Sequence, residues 1–445
     1  MTTGNEKRNS IRKRKQASYL AVVFLCVFLS LFFIYEGVAF SGYPVKAADA
    51  STGEVLTAEE LGGVNRAVPG KGRSPLRVLP DREFTIISVG DIMMHSPQTK
   101  AGRDPADDSY DFSFMFEKVA PILREGDLVI GNLETPLAGL SNGGYTGYPM
   151  FNAPEILAQN LKEAGFTLVS TANNHSLDRK YAGLCATLDH LDEAGLMHAG
   201  TFRTSAERDS ISHIKIKGVK IAFIAATYGT NGLSLPAEYG FAINYIDAER
   251  LLDDIRKARR EGAGYIIVML HWGAEYQTQP NQEQTTLADT LLKGGADLIL
   301  GNHPHVLQRG EIILPIESSG DPKAPDREQA KFVMYSQGNF VSNQEGMNRL
   351  VSIMLKLTIG VDGATGKPYL KEAGYIPIYT QRRNRQGESR HTVWPLELAL
   401  EELESGGIAF GAEDRANIPK AWDYAIKSQP GLRLLTLKDT PVFDE

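Results

Sequence analysis

His303 and His305 stand two apart in Gly301-Asn302-His303-Pro304-His305, directly after the apolar run that opens at Ala296. In an extended turn, side chains at that spacing can converge on one centre, and neutral imidazole is a common ligand for zinc, iron and manganese. Two histidines in a surface loop are the plain alternative for this segment alone. What favours chemistry is the repetition of one design: a β-rich run ending in polar groups able to bind metal or move protons. Phe84 to Asp91 (FTIISVGD) ends in Asp91, with His95 four residues on. Asp127 to Glu134 (DLVIGNLE) ends in Asn132 and Glu134, and Phe166 to His175 (FTLVSTANNH) in Asn173, Asn174 and His175. Tyr265 to Gly273 (YIIVMLHWG) carries His271, and Tyr335 to Phe340 (YSQGNF) offers Gln337 and Asn339 to line a cleft. Each group alone has an ordinary reading: Asp91 as a helix cap, His95 as a bonded loop histidine, Glu134 as a surface acid, Gln337 and Asn339 as turn formers.

The elements that must position these groups follow from periodicity. Each chemical group closes a strand-length apolar run. Between the runs lie amphipathic stretches at Phe112 to Glu125, Pro154 to Ala164, Lys180 to Ala194, Asp247 to Glu261 and Asn281 to Lys293. That alternation predicts an α/β domain with helices covering a sheet, and polar groups at the carboxyl ends of strands are where such sheets place their sites. Lys331 to Tyr335 and Leu350 to Ile359 are strand-like with fewer helices between, which suggests a second or mixed sheet completing the core.

The chain has 445 residues, 42% hydrophobic and 23% charged, enough to bury a large core. Six basic residues from Lys7 to Lys15 against Glu6 give the first sixteen residues a charge of +5, so with −7 overall the remainder carries −12. That balance argues against nucleic acid as a partner, because a basic footprint is needed to displace counterions. Ala17 to Tyr35 then runs nineteen residues without a charge, close to the length that spans a bilayer as a helix. Basic residues on its N-terminal side place that end in the cytoplasm and the body of the chain outside. Cleavage as a signal peptide at Val45-Lys46-Ala47 or Ala48-Asp49-Ala50 competes with an uncleaved anchor, but those sites lie far beyond the apolar run. The expected layout is a basic cytoplasmic tail at 1–16, a transmembrane signal-anchor helix at 17–40 and an extracytoplasmic linker at 41–81. A metal-binding domain follows at 82–345, with C-terminal strands and an extension at 346–445 completing or flanking it. Cys26 falls in the apolar run and Cys185 in a helical pattern, so no disulfide joins them within one chain and Cys185 reads as a small core residue.

As an ordered set, G-D, N-L-E, A-N-N-H, H-W-G, G-N-H-P-H and Q-G-N-F resemble the CapA family of capsule and poly-γ-glutamate synthesis proteins, from about Phe84 to Gln344. That family looks like a divergent branch of the calcineurin-like metallophosphoesterases, so the resemblance implies an α/β fold built on a two-sheet β-sandwich flanked by helices. It also implies two divalent metal ions, of manganese, zinc or iron. Asp91 and His305 would hold one, Asn174, His271 and His303 the other, and Glu134 would bridge them. His175 would protonate or stabilise the leaving atom. Here Glu134 replaces the pattern's bridging aspartate, His95 stands four residues from Asp91 instead of two, and Asn302 replaces a glycine. His95, Asn132, Asn173, Gln337 and Asn339 are left to face substrate.

The expected role is therefore in capsule or poly-γ-glutamate biosynthesis at the outer face of the cell membrane. One form is a metal-dependent hydrolase or transferase acting on a phosphoester or γ-glutamyl amide. The alternative is a non-catalytic accessory subunit that binds and guides an anionic polymer beside membrane-bound synthase subunits. An acidic domain needs a local basic patch to attract such a polymer. Gln381 to Arg390 (QRRNRQGESR) is the candidate, with Arg382, Arg383 and Arg385 placed to clasp carboxylates, although a solvated charge run is the simpler reading.

Overall fold

Strand β1 (Arg82–Ile92) alternates its side chains as far as Val89, before its register shifts near Asp91. Phe84 and Ile86 turn to one face while Ile87 and Val89 turn to the other, and both sets are buried. A strand apolar on both faces belongs between two layers. In the computed structural model, which describes residues 81–314, 330–384 and 386–440, that is where β1 lies. The calls at 1–16 and 17–40, nearly all of the linker call at 41–81, and Arg385 fall outside the described residues. Among the described residues, no helix is long and apolar enough to cross a membrane.

After β1 come β2 (Leu128–Leu133), β3 (Leu168–Ser170) and β4 (Met197–Ala199), each parallel to its predecessor. The helices Ile156–Ala164 and Lys180–Glu193 connect them and cover the outer face with Leu157, Leu161, Leu184, Leu188 and Leu191. β5 (Ser212–Ile216) and β6 (Val219–Thr227) open a second sheet, joined by β7 (Tyr265–His271), β8 (Leu298–Asn302), β9 (Gly310–Ile313) and β10 (Lys331–Met334). Its strand order is β5-β6-β7-β8-β10-β9. Helices Ala248–Arg260 and Gln282–Lys293 cover its outer face, and their first turns are capped by Asp247 and Asn281, whose side chains accept from Arg250 N and Gln284 N.

The chain then returns to the first sheet through β11 (Asn339–Val341), β12 (Val351–Val361), β13 (Pro368–Arg383), β14 (Ser389–Pro395) and β15 (Arg433–Leu434). β12 pairs antiparallel with β1, giving the central order β14-β13-β12-β1-β2-β3-β4. The two late strand-like runs thus part company: β10 completes the second sheet and β12 the first.

The inner faces of the two sheets share one core, in which Phe84, Ile86, Leu128 and Ile130 meet Phe223, Ile267, Met269, Leu298 and Phe332. Each sheet is covered on its other face by helices, so the expected two-sheet sandwich flanked by helices is what the chain forms. β1, β2 and β3 run parallel in one sheet and β6, β7 and β8 in the other, so their carboxyl ends bring loops from both sheets together.

Candidate metal centre

The register of the first sheet sets Asp91 beside Asn132 on one side and Asn339 on the other. In the second sheet His271 lies beside Asn302, the residue before His303. Asp91 Oδ1 accepts from Asn132 Nδ2 at 2.8 Å, and Asp91 Oδ2 lies 3.1 Å from His305 Nδ1 and accepts from the His303 backbone N–H at 3.3 Å. Asn132 Nδ2 is also 3.2 Å from His271 Nδ1, which leaves His271 Nε2 to face Asn174 Oδ1 at 2.9 Å. Glu134 Oε1 lies 3.6 Å from His271 Nε2 and 3.8 Å from His305 Nε2. The structure therefore gathers Asp91, Glu134, Asn174, His271, His303 and His305, from both sheets, into one buried cluster.

Backbone strain helps hold it. His303 and His305 adopt φ of +98° and +59°, a region that side-chain-bearing residues seldom occupy, and such strain gathers at functional sites. Gly301 permits the approach of the second sheet's strand ends, since a Cβ there would fall 2.1 Å from the Tyr335 carbonyl oxygen and 2.5 Å from Trp272 Nε1.

The electrostatics of the cluster call for a cation. Both Glu134 oxygens are buried without a hydrogen-bond partner, as is His303 Nδ1. Burial, and then the neighbouring Asp91 charge, push the Glu134 carboxyl well above its usual range. Burial, and then His303 and His305, hold His271 well below the usual imidazole value, while burial and His305 lower His303 to about 3. Neutral imidazoles around carboxylates with free oxygens form a donor set complementary to divalent metal, whose charge would favour ionised Glu134. Ligand atoms of Glu134, His271 and His303 lie within 4.8 Å of one another, as do those of Asp91, Glu134 and His305. The donors fit the metals that the resemblance implies.

The other expected site residues divide. His175 Nδ1 lies 2.8 Å from Asp178 Oδ2, and its ring meets Phe151 edge-on at 4.6 Å between centroids. His95 packs on Phe151 too, at 5.1 Å, and its Nδ1 accepts from the Asn343 backbone N–H. Burial lowers its pKa to about 4. Asn173 faces inward: it donates to the Leu133 carbonyl and accepts from the His175 N–H, tying two strand ends together. Gln337 donates to the Val89 carbonyl, and Asn339 braces His305 Nδ1 at 3.0 Å. These three amides brace the site's frame, Asn173 and Gln337 through backbone carbonyls and Asn339 through the His305 ring. Arg382 is ion-paired with Glu345 and Glu413, and Arg383 donates to the Gly387 carbonyl. Neither bonds to the buried cluster.

Several residues went unread in the sequence. Asp178 follows His175 by three residues in a turn, a spacing that could have signalled the pair. Tyr228, just beyond β6, meets His303 at a tilt with 4.5 Å between ring centroids, and Tyr276 lies 6.1 Å from His305 with the Arg349 guanidinium 4.2 Å from its ring. Both tyrosines are exposed and rim the mouth of the cluster. Glu275 also reaches His303 and His305.

Residues 85–344 match the family described as bacterial capsule synthesis protein PGA_cap. The chain is 29% identical over 279 residues to the capsule biosynthesis protein CapA of Bacillus anthracis, covering 61% of this chain and 62% of that protein. It is 31% identical over 284 residues to the PGA biosynthesis protein CapA of Bacillus subtilis strain 168, covering 62% of this chain and 68% of that protein. The match thus spans less than two thirds of the Bacillus anthracis relative. Similar solved structures include the NAD nucleotidase of Haemophilus influenzae, at 13% identity and a TM-score of 0.41 over 80% of this chain and 64% of that one. A calcineurin-like phosphoesterase of Bacillus subtilis matches at 14% identity and a TM-score of 0.37 over 77% of this chain and 98% of that one.

Proposed function

Because the chain belongs to the bacterial capsule synthesis protein family PGA_cap, we propose that it serves the assembly of an anionic surface polymer such as poly-γ-glutamate, as a metal-dependent hydrolase or transferase. The bond it acts on is a phosphoester or a γ-glutamyl amide. One observation carries the catalytic reading: the fully buried Glu134 has both oxygens without hydrogen-bond partners, beside His271 and His305. An uncompensated buried carboxylate is costly, and a metal ion is the partner that its neighbours are built to share.

Asp91 and His305 would hold one ion, Asn174, His271 and His303 a second, and Glu134 both. Two divalent cations, when bound, supply a hydroxide near neutral pH and stabilise oxyanion charge on the group under attack. Asn132 and Asn339 orient Asp91, His271 and His305 through their amides. His175, with Nδ1 engaged by Asp178, keeps Nε2 to carry a proton to the leaving atom. Tyr228 and Tyr276 give substrate an amphipathic rim.

In this reading the protein sits at the outer face of the cell membrane with its N-terminus inside, beside membrane-bound polymer synthase subunits. Support for that placement comes from the +5 charge ahead of nineteen uncharged residues.

The test uses the full chain loaded with Mn2+ and two probes, bis(p-nitrophenyl) phosphate and poly-γ-glutamate. Turnover of one probe by the wild type, lost in Glu134→Gln, is the expected result. Metal-loaded wild type that cleaves neither, or Glu134→Gln with undiminished turnover, overturns the catalytic reading.

A further inference from the structure

The ligand set implied by the family resemblance leaves out one carboxylate that the fold brings to the same place. β7 ends at His271, and Gly273, at φ +82°, turns the chain back toward the cluster. The Tyr276 N–H donates to the Pro304 carbonyl at 2.8 Å, which lays the segment 273–276 on the His303-Pro304-His305 turn. Glu275 is thereby fixed beside both histidines, and its carboxylate has an oxygen within 4.8 Å of a ring nitrogen of each. That is the same span within which the groups Glu134, His271, His303 and Asp91, Glu134, His305 lie.

Glu275 differs from those residues in being exposed, so it approaches the cluster from the solvent side. Its charge is felt inside, since it adds to the forces that raise the Glu134 carboxyl and the Tyr228 hydroxyl. The centre it approaches has unmet donor capacity: His303 Nδ1 and both Glu134 oxygens are buried without partners.

We propose that Glu275 is a further ligand of the metal cluster, an exchangeable carboxylate that closes it from the solvent side. Asp91 and Glu134 bring two negative charges to set against the four of two divalent cations. A third carboxylate offsets more of that charge, and an added oxygen donor favours harder ions such as Mn2+. Being on the surface, Glu275 can withdraw without breaking the core, and an anionic oxygen of the substrate can then take its coordination position. The buried ligands cannot do this. The proposal rests on the metal-binding reading above.

Mn2+ is titrated calorimetrically into the chelator-treated full chain, with electron paramagnetic resonance following the bound ion. The variants are Glu275→Gln and, as a control for loss of one surface charge, Glu249→Gln in the exposed first turn of the helix Ala248–Arg260. Glu275→Gln is expected to weaken Mn2+ binding at least about tenfold and to alter the resonance signal, with Glu249→Gln matching the wild type. If the wild type binds Mn2+ and Glu275→Gln binds it as tightly, or if both variants weaken it equally, Glu275 is not a ligand and the metal reading stands. A wild type that takes up no Mn2+ overturns both.

Discussion

His175 Nδ1 lies 2.8 Å from Asp178 Oδ2, and that same oxygen accepts the Phe151 backbone N–H at 2.7 Å. Asp178 therefore fixes both the tautomer of His175 and the loop that carries the aromatic ring against it. The imidazole is held between a carboxylate and Phe151, so only Nε2 is left for exchange with a substrate.

Asp178→Asn separates this role from metal binding. The amide oxygen can still accept both the Phe151 N–H and the His175 Nδ1–H, but the neutral amide lacks the charge that assists proton transfer by the imidazole. Turnover should fall on the order of 10²-fold, the scale of a lost general acid, with metal content unchanged. Elemental analysis alongside kcat checks this; loss of metal in parallel with activity would place Asp178 in the metal site instead.

Glu134 gives a prediction about stability with two opposite signs. Its folded pKa is raised, so in metal-free protein its contribution is fully present below the unfolded value of 4.5 and is lost as pH rises above it. Glu134→Gln removes that penalty. At pH 7 the chelated variant should melt above the chelated wild type, and with saturating Mn2+ the order should reverse. Thermal melts in both conditions test it; the same order in both would mean that Glu134 does not meet the metal.

How much of this was legible beforehand depends on which force placed each residue. Asp91, Glu134, His271 and His303 close apolar runs, and strand ends are set by local pattern, so their gathering could be read from the sequence. The amphipathic stretches expected from Asp247 and Asn281 become helices that start directly after those residues, because local pattern sets them as well. Asn173 and Gln337 carry the same amide group as the expected ligand Asn174, yet their amides turn inward to the Leu133 and Val89 carbonyls. Only packing decides between those two directions. The run Phe166 to His175 forms a strand only over Leu168–Ser170, because Thr171 onward leaves the sheet to carry Asn174 and His175 to the cluster. Glu275 reaches the centre through the turn at Gly273 and the bond to Pro304, neither of which has a periodic signature. The pairing of β12 with β1 likewise joins residues more than 250 apart in sequence.

His391 predicts an acid sensitivity away from the metal. It is buried, with Nε2 2.9 Å from Asn343 Oδ1, and burial, Arg382, His95 and Arg383 together lower its pKa to about 3. A depressed imidazole leaves stability intact above the unfolded value of 6.5 and loses it as pH falls from there toward 3, because the unfolded chain takes up the proton first. The slope approaches about 1.4 kcal/mol per pH unit in that window. His391→Asn suits the test, since φ is +53° and asparagine tolerates that conformation. Between pH 6 and 4.5 its urea midpoint should fall less than that of the wild type; equal falls would show that His391 does not carry the effect.

Gly90 offers the sharpest steric test of how the first sheet presents Asp91. A Cβ at Gly90 would stand 1.8 Å from the Gly338 carbonyl oxygen, the same atom that accepts the Asp91 N–H at 3.0 Å. No rotamer relieves a clash between a Cβ and backbone, so Gly90→Ala must push the Gly338 segment away. That segment leads into Asn339, whose amide braces His305. The variant should lose about 1–3 kcal/mol of stability, as overpacking does in a close-packed site. If it remains folded, it should bind Mn2+ more weakly than the wild type, because Asp91 and His305 no longer share one geometry. Urea denaturation and Mn2+ titration on the same preparation decide the matter, and wild-type behaviour in both would show that β1 and the strand beside it can separate without disturbing the ligands.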